Sequence, residues 1–238
     1  MVRRLVDVVL SSTVLILISP LLAVAAIGIR VSSRGPILYR AQRVGMNGKI
    51  FSMYKLRTMH IDQSSFSSLI TMNNDPRVFR FGSLLRYLKI DELLQFFNVL
   101  KGEMSTIGPR PEDPEIVREH YALVHFETLS VLPGIASPGS IYNYTHGEDL
   151  VHGDDVKDSY ARQLLPIKLA MDVVYVREAS LVYELRVIVR TIWVILLKSL
   201  GKRSFPDPPE IRKAVELGLL PESARPALFS PQMLPSQD

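Results

Sequence analysis

The chain has 238 residues, with 28 Lys and Arg against 24 Asp and Glu, a net charge of +4 and 47% hydrophobic residues. That apolar content excludes a globally disordered chain. The absence of cysteine excludes disulfide scaffolds, Cys-ligated zinc and thiol nucleophiles, while leaving the redox compartment open.

Val8 to Ile29 is a run of 22 residues without a charge. A straight helix of that length measures about 33 Å, enough to cross a bilayer core. Three readings compete. Arg3, Arg4 and the small residues Ala23-Val24-Ala25 suit a cleaved signal peptide, although Asp7 and the length of the run weigh against it. A simple spanning helix is opposed by Ser19-Pro20 at mid-run, since proline removes a backbone donor. It is also opposed by basic residues at both ends, which one spanning helix cannot place on the same side. A segment that enters the membrane, breaks at Ser19-Pro20 and returns through the same leaflet satisfies both features, with Ser12 and Ser19 supplying hydroxyls to the freed backbone groups.

No acidic residue occurs between Val8 and Ile61, and seven basic ones fall between Arg30 and Arg57. Such a stretch beside a membrane segment attracts anionic head groups. Nucleic acid is the rival anion, but no zinc, helix-turn-helix or RNA-module signature accompanies the charge, so no nucleic-acid partner is expected. Ile37 to Arg57 predicts a β-hairpin, because ILYRAQRV and KIFSMYKLR flank Gly45-Met46-Asn47-Gly48. Asp62 to Asn74 reads as a loop and Asn74-Asp75-Pro76-Arg77 as a turn. Ser83 to Leu100 predicts one helix, apolar over most of its circumference and ended by Gly102.

Ile107-Gly108-Pro109-Arg110-Pro111-Glu112 is turn-rich, and helical patterning then runs to about Leu132. Pro133 to Asp155 reads as irregular. Leu164 to Leu200 carries long helical patterns; the part containing Trp193 suits either an interfacial membrane helix or one docked on the domain. Beyond Gly201 the chain is Pro-rich, with a helix start at Asp207-Pro208-Pro209-Glu210 and a disordered final dozen residues. His120, His125, His146 and His152 form no metal pattern and read as surface or packing residues.

Asp91-Glu92 is the chemical focus. Two acids in a stretch of Leu, Ile and Phe must be solvated, paired or bound to a cation. Adjacent helical positions diverge by about 100°, so the two cannot hold one ligand in the same way. Either one carboxylate reacts while the other holds a hard cation such as Mg²⁺, or both pair with Arg80, Arg86 or Lys89 at the surface. Lys55, Arg57, Arg77, Arg86 and Arg110 outnumber the two acids, and the rigid Gly108-Pro109-Arg110-Pro111 run presents one guanidinium suited to phosphate.

The succession YRAQRVGMNGKIFSMYKLRTM, then NDPRVFRFGSLLRYLKIDELLQFFNVLKGEMSTIGPRP, resembles the bacterial sugar transferases, small monotopic phosphoglycosyl transferases, nearly collinearly from about Arg3 to Leu197. The resemblance implies transfer of a sugar 1-phosphate from a UDP-sugar to a polyprenol phosphate at the cytoplasmic face of the bacterial inner membrane, as the first membrane step of glycan assembly. It implies Asp91 as the nucleophile that forms a covalent phosphosugar intermediate, and Glu92 as its partner at Mg²⁺, with both acids counted as metal-site residues. Lys55, Arg86 and Arg110 match basic positions around the phosphates and nucleotide, and Ser19-Pro20 the membrane break; Arg57, Arg77 and Pro111, in the same basic segments, are taken as substrate-binding positions with them. A homodimer is left open.

Departures from the family pattern are Lys89-Ile90 before the acids in place of Ser-Leu, Leu94 in place of Pro, and ASPGSIYNYTHGE over Ala136 to Glu148 in place of the common Thr-Gly-Trp-Ala-Gln-Val-Asn-Gly. The last of these bears most on sugar choice. A non-catalytic membrane-anchored domain that binds anionic lipid is the alternative function. The expected fold is α+β and mostly helical: a re-entrant membrane helix-break-helix (1–34), a catalytic domain with a small hairpin and amphipathic interfacial helices (35–200), and a Pro-rich tail with a short helix (201–238).

Overall fold

In the computed structural model, residues 2–61, 75–150 and 156–221 are described. The loop expected over Asp62 to Asn74 and the final dozen residues lie outside them.

Helix α1, Val2–Ser32, runs through Pro20 without interruption. The break expected at Ser19-Pro20 is therefore not a gap in the helix. Proline leaves the carbonyl four residues earlier without its donor, and the Ser19 hydroxyl donates to that carbonyl, on Ile16, at 2.8 Å. The Ser-Pro pair repairs the bond it removes. Both ends of α1 rest on the rest of the molecule. Near the start, Arg4 donates to the carbonyls of Val99 and Leu100, while Asp7 accepts from Ser105 Oγ at 2.7 Å and the Thr106 amide at 2.9 Å. Near the end, Ala25 and Ile29 pack with Leu56, Phe79 and Leu85. Between these contacts Ile16, Leu17, Leu21 and Val24 are exposed. Among the described residues α1 is the one helix long and apolar enough to cross a membrane.

Strands β1 (Leu38–Val44) and β2 (Ile50–Leu56) pair antiparallel from Leu38↔Leu56 to Val44↔Ile50, the hairpin expected from Asn47-Gly48. Asn47 and Gly48 both take positive φ, 57° and 76°, as so tight a reversal demands. Ala41, Phe51 and Met53 pack on Val99 and Met104.

The single helix expected over Ser83 to Leu100 is in fact three pieces: α2 (Arg80–Tyr87), a 3₁₀ turn (Ile90–Glu92) and α3 (Gln95–Lys101), closed by Gly102 at φ 80°. The division is made at Lys89, which is left-handed at φ 58° and ψ 18° and stops α2 from continuing. Short β3 (Ser105–Ile107) then pairs in parallel with β4 (Gly134–Ala136). At their ends the backbones of Gly108 and Gly134 approach so closely that a Cβ on either would enter the other residue. Between the strands lie α4 (Pro114–His120) and a 3₁₀ stretch (Leu123–Ser130), so the helical patterning to Leu132 is broken at Tyr121-Ala122.

The irregular stretch expected from Pro133 instead holds β4 and α5 (Pro138–Leu150). The missed signal was Ser137-Pro138: Ser137 Oγ accepts from the Ser140 amide at 2.9 Å and proline occupies the first turn. Short α6 (Val156–Ser159) and a π turn (Tyr160–Leu164) lead into α7 (Leu165–Glu178), buried over most of its circumference. In α8 (Leu181–Ser199) only Val187 and Val194 are buried, so it docks along one edge and leaves Leu185, Val189, Ile192, Trp193 and Leu196 exposed. The expected C-terminal helix is α9 (Pro209–Glu216), packed on α7 through Ala214 and Val215.

Candidate active site

The left-handed Lys89 turns the chain at the end of α2 and starts the 3₁₀ turn that carries both acids. Their environments differ sharply. Glu92 accepts from Lys55 Nζ at 3.1 Å and Arg110 Nη2 at 2.6 Å. Burial acts to raise this carboxyl, yet Arg110, Lys55 and Lys89 outweigh it and hold Glu92 well below the usual carboxylate range. Asp91 is 6% exposed and its Oδ1 accepts no hydrogen bond. Burial, then the charge of Glu92, pushes its carboxyl up, against the pull of Lys55, Lys89 and Arg86. Two neighbouring carboxylates are thereby driven apart: one locked as an anion, the other kept in reserve.

Arg110 reaches Glu92 from a heavily pinned segment. Gly108 N donates to Ala136 O, Pro109 O accepts from Gly134 N, and the Glu112 carbonyl accepts from Val44 N. The Arg110 amide donates to Asp172 Oδ2 at 3.2 Å, and Asp172 Oδ1 accepts from the Gly139 amide at 2.9 Å. Asp172 thus ties the arginine backbone to the start of α5. Burial raises its carboxyl to about 6 despite these donors. Beside it Lys168, 2% exposed, donates to Glu112 and to Tyr160 Oη. Sequence reasoning missed Asp172, Lys168, Glu112 and Tyr160. The signal was available in LPIKLAMDVVYV, where a Lys and an Asp interrupt an apolar helix that has no exposed face to place them on.

Of the positions assigned from the sequence, Lys55, Arg86, Glu92, Arg110 and Pro111 line one cleft of about 1430 Å³, with Asp91 buried beside Glu92. Arg86 Nη1 is buried there without a partner. Burial pulls the Lys55 ammonium below its ordinary range, against the attraction of Glu92. Arg77 lies outside this lining, held by Asp75, whose carboxylate it grips at 2.6 to 3.1 Å; Asp75 itself lines the cleft. Arg57 does not join the cleft lining either. It is buried and donates to Pro36 O, Met59 O, and Ser33 Oγ and O at 2.5 to 3.1 Å, fastening the end of α1 to the hairpin. Ser19 and Pro20 are exposed on α1, away from these groups.

Its lining includes apolar residues of two helices, Leu10 and Val14 of α1 and Ile188, Ile192 and Ile195 of α8. It also carries eight Lys and Arg against four Asp and Glu. No cluster of three His, Cys, Asp or Glu occurs among the described residues. The donor chemistry fits a hard cation that keeps water and takes phosphate oxygens, because Asp91 Oδ1 is orphaned whereas Glu92 Oε1 already accepts from two cations.

The family model described as bacterial sugar transferase matches residues 1–198. The "UDP-glucose:undecaprenyl-phosphate glucose-1-phosphate transferase" of Klebsiella pneumoniae is 34% identical over 193 residues, covering 80% of this chain and 39% of the relative. The "Undecaprenyl-phosphate glucose phosphotransferase" of Komagataeibacter xylinus is 36% identical over 200 residues, covering 80% and 35%. The "Exopolysaccharide production protein PSS" of Rhizobium leguminosarum bv. phaseoli is 30% identical over 205 residues, covering 84% and 97%. The chain therefore spans well under half the length of the first two relatives and nearly all of the third.

Proposed function

Because the chain belongs to the bacterial sugar transferase family, we propose that it transfers a sugar 1-phosphate from a UDP-sugar to a polyprenyl phosphate in two steps. The observation that carries this reading is the asymmetry of the acid pair, with Asp91 buried beside Glu92 at a cleft whose lining holds both cations and apolar side chains. In the first step an Asp91 oxygen attacks the β-phosphorus of the donor, the bond from that phosphorus to the bridging oxygen breaks, and UMP leaves with the electron pair. In the second, a phosphate oxygen of the polyprenol attacks the same phosphorus, the acyl-phosphate bond breaks, and Asp91 returns as a carboxylate with polyprenyl-diphosphate-sugar as product. A carboxylate nucleophile suits phosphoryl transfer. No hydrogen bond is made to buried Asp91 Oδ1, so none blunts the carboxylate there. Glu92 keeps Lys55 and Arg110 aligned on the cleft, and the partnerless Arg86 Nη1 offers a donor to phosphate.

Mg²⁺ would be held by Asp91 and Glu92 together with substrate oxygens, and when bound it neutralises phosphate charge. The cations of the lining suit the donor nucleotide, and the apolar residues contributed by α1 and α8 suit an isoprenoid. Incubation with a panel of UDP-sugars, polyprenyl phosphate and Mg²⁺ should release UMP, and Asp91→Asn should not; equal release by the variant would sink the nucleophile assignment.

We also read α1 as a helix bent at Pro20 that enters and leaves one leaflet, with the domain on the cytoplasmic face. Its two ends hold the same domain through Asp7 and Ile29, and a bilayer core is about 30 Å thick. L5C and R34C variants should label from the same side of sealed vesicles; labelling from opposite sides would overturn this topology.

A further inference from the structure

Lys89 is a non-glycine residue held left-handed immediately before the turn that carries Asp91, a conformation that costs such a residue about 1–2 kcal/mol. Its side chain ends against Tyr144 on α5. Lys89 Nζ lies 4.6 Å from the centroid of the Tyr144 ring. Lys198, at the end of α8, lies 4.5 Å from the same centroid and donates to the Tyr144 carbonyl at 2.6 Å. The Tyr144 hydroxyl donates to Tyr87 O at 3.2 Å, at the end of α2, and the Tyr87 hydroxyl reaches Lys198 O at 2.9 Å. These contacts close a ring through the ends of α2 and α8, the Lys89 kink and the middle of α5. Tyr87, Lys89, Tyr144 and Lys198 all line the cleft. Cation–π attraction and the cost of one left-handed residue are of similar size, so the ring can decide the geometry of the turn.

We propose that Tyr144 is a positioning residue: by holding Lys89 it fixes the turn that sets Asp91 beside Glu92 at the cleft, and it ties that turn to the end of α8. This rests on the phosphoglycosyl transfer reading. Lys89 and Tyr144 both stand in stretches where the sequence departs from the family run it otherwise follows.

The test uses the full chain in lipid nanodiscs, with the UDP-sugar that the wild type turns over. Absence of UMP release by the wild type on the whole donor panel overturns the transfer reading and this proposal with it; every other outcome concerns Tyr144. Y144A should lower kcat for UMP release about tenfold, with KM for the donor within about twofold, as expected when a reacting group is misaligned while donor binding is kept. Y144F keeps the ring and should stay within about threefold of wild type. Glycine adopts positive φ without help, so in a K89G background, whatever the activity of K89G itself, adding Y144A should cost less than about twofold. Equal losses from Y144A in the wild-type and K89G backgrounds would overturn the proposal. So would a raised KM with kcat intact, which marks direct contact with the donor. Should Y144A fail to fold by circular dichroism, Y144L replaces it in the same comparison.

Discussion

Two buried ionic clusters meet the Gly108–Glu112 segment, one at Glu112 and one at Arg110, and use the same kinds of group to opposite ends. In the first, Glu112 accepts from Lys168 and Tyr160, while Lys168 also donates to Tyr160; the net effect of this closed set is to lower the Glu112 carboxyl even against its burial. In the second, Glu92 takes the cations and Asp91 is left with an orphaned oxygen and a raised carboxyl. Charge pairing in a dry interior is a matter of completeness. A complete set holds Arg110 and its neighbours in place, whereas an incomplete set leaves, on the proposed mechanism, a group that can react. The difference is one of partners rather than residue types.

That contrast can be broken at either cluster. The largest effect is expected at the incomplete one: Asp91→Asn should abolish UMP release by at least about a thousandfold. It should leave the thermal midpoint equal to or above wild type, since it removes an unsatisfied buried acid. A marked fall in the midpoint would show that Asp91 is held for structure after all. At the complete cluster the expectation is reversed. Lys168→Met leaves Glu112 buried without its cation and should cost about 3–5 kcal/mol of stability, read from urea melts in detergent, with activity falling only as the folded fraction falls.

A smaller effect sharpens the comparison through pH. Asp172 is raised from 3.8 to about 6, so its contribution is fully present below 3.8 and is lost as pH rises through about 6. Asp172→Asn cannot titrate. The thermal midpoint of the wild type relative to that variant should therefore be highest near pH 4 and fall towards pH 7. A difference that grows over the same range would mean that the amide donors from Arg110 and Gly139 dominate the carboxylate.

The sequence announced those parts of the molecule whose cause is local. Asn47-Gly48 supplies the positive φ values that a tight hairpin needs, and the pairing it sets is complete. The long apolar periodicities after Leu164 became α7 and α8, and Asp207-Pro208-Pro209-Glu210 became the start of α9. The acid pair and most of the cations that line its cleft were legible because charges in apolar surroundings need a reason. What stayed hidden has distant causes. Nothing about lysine favours a left-handed conformation, so the division of the Ser83–Leu100 helix at Lys89 depends on Tyr144 and Lys198, which stand far along the chain on α5 and α8. Arg57 looked like a phosphate ligand because it belongs to a basic run, but its donors are consumed by the Ser33–Pro36 bend and Met59, a demand no local pattern reveals.

The close approach of Gly108 and Gly134 makes a fixed neck for the excursion between them. Arg110 and Glu112 sit at the root of that excursion, while Leu123 at its far side is 92% exposed. Lengthening a loop whose ends are already clasped adds little closure entropy, about 0.6 kcal/mol for each doubling. The turn around Leu123 is thus a natural place to graft a tag or fluorophore that leaves Arg110 and Glu112 at its base undisturbed.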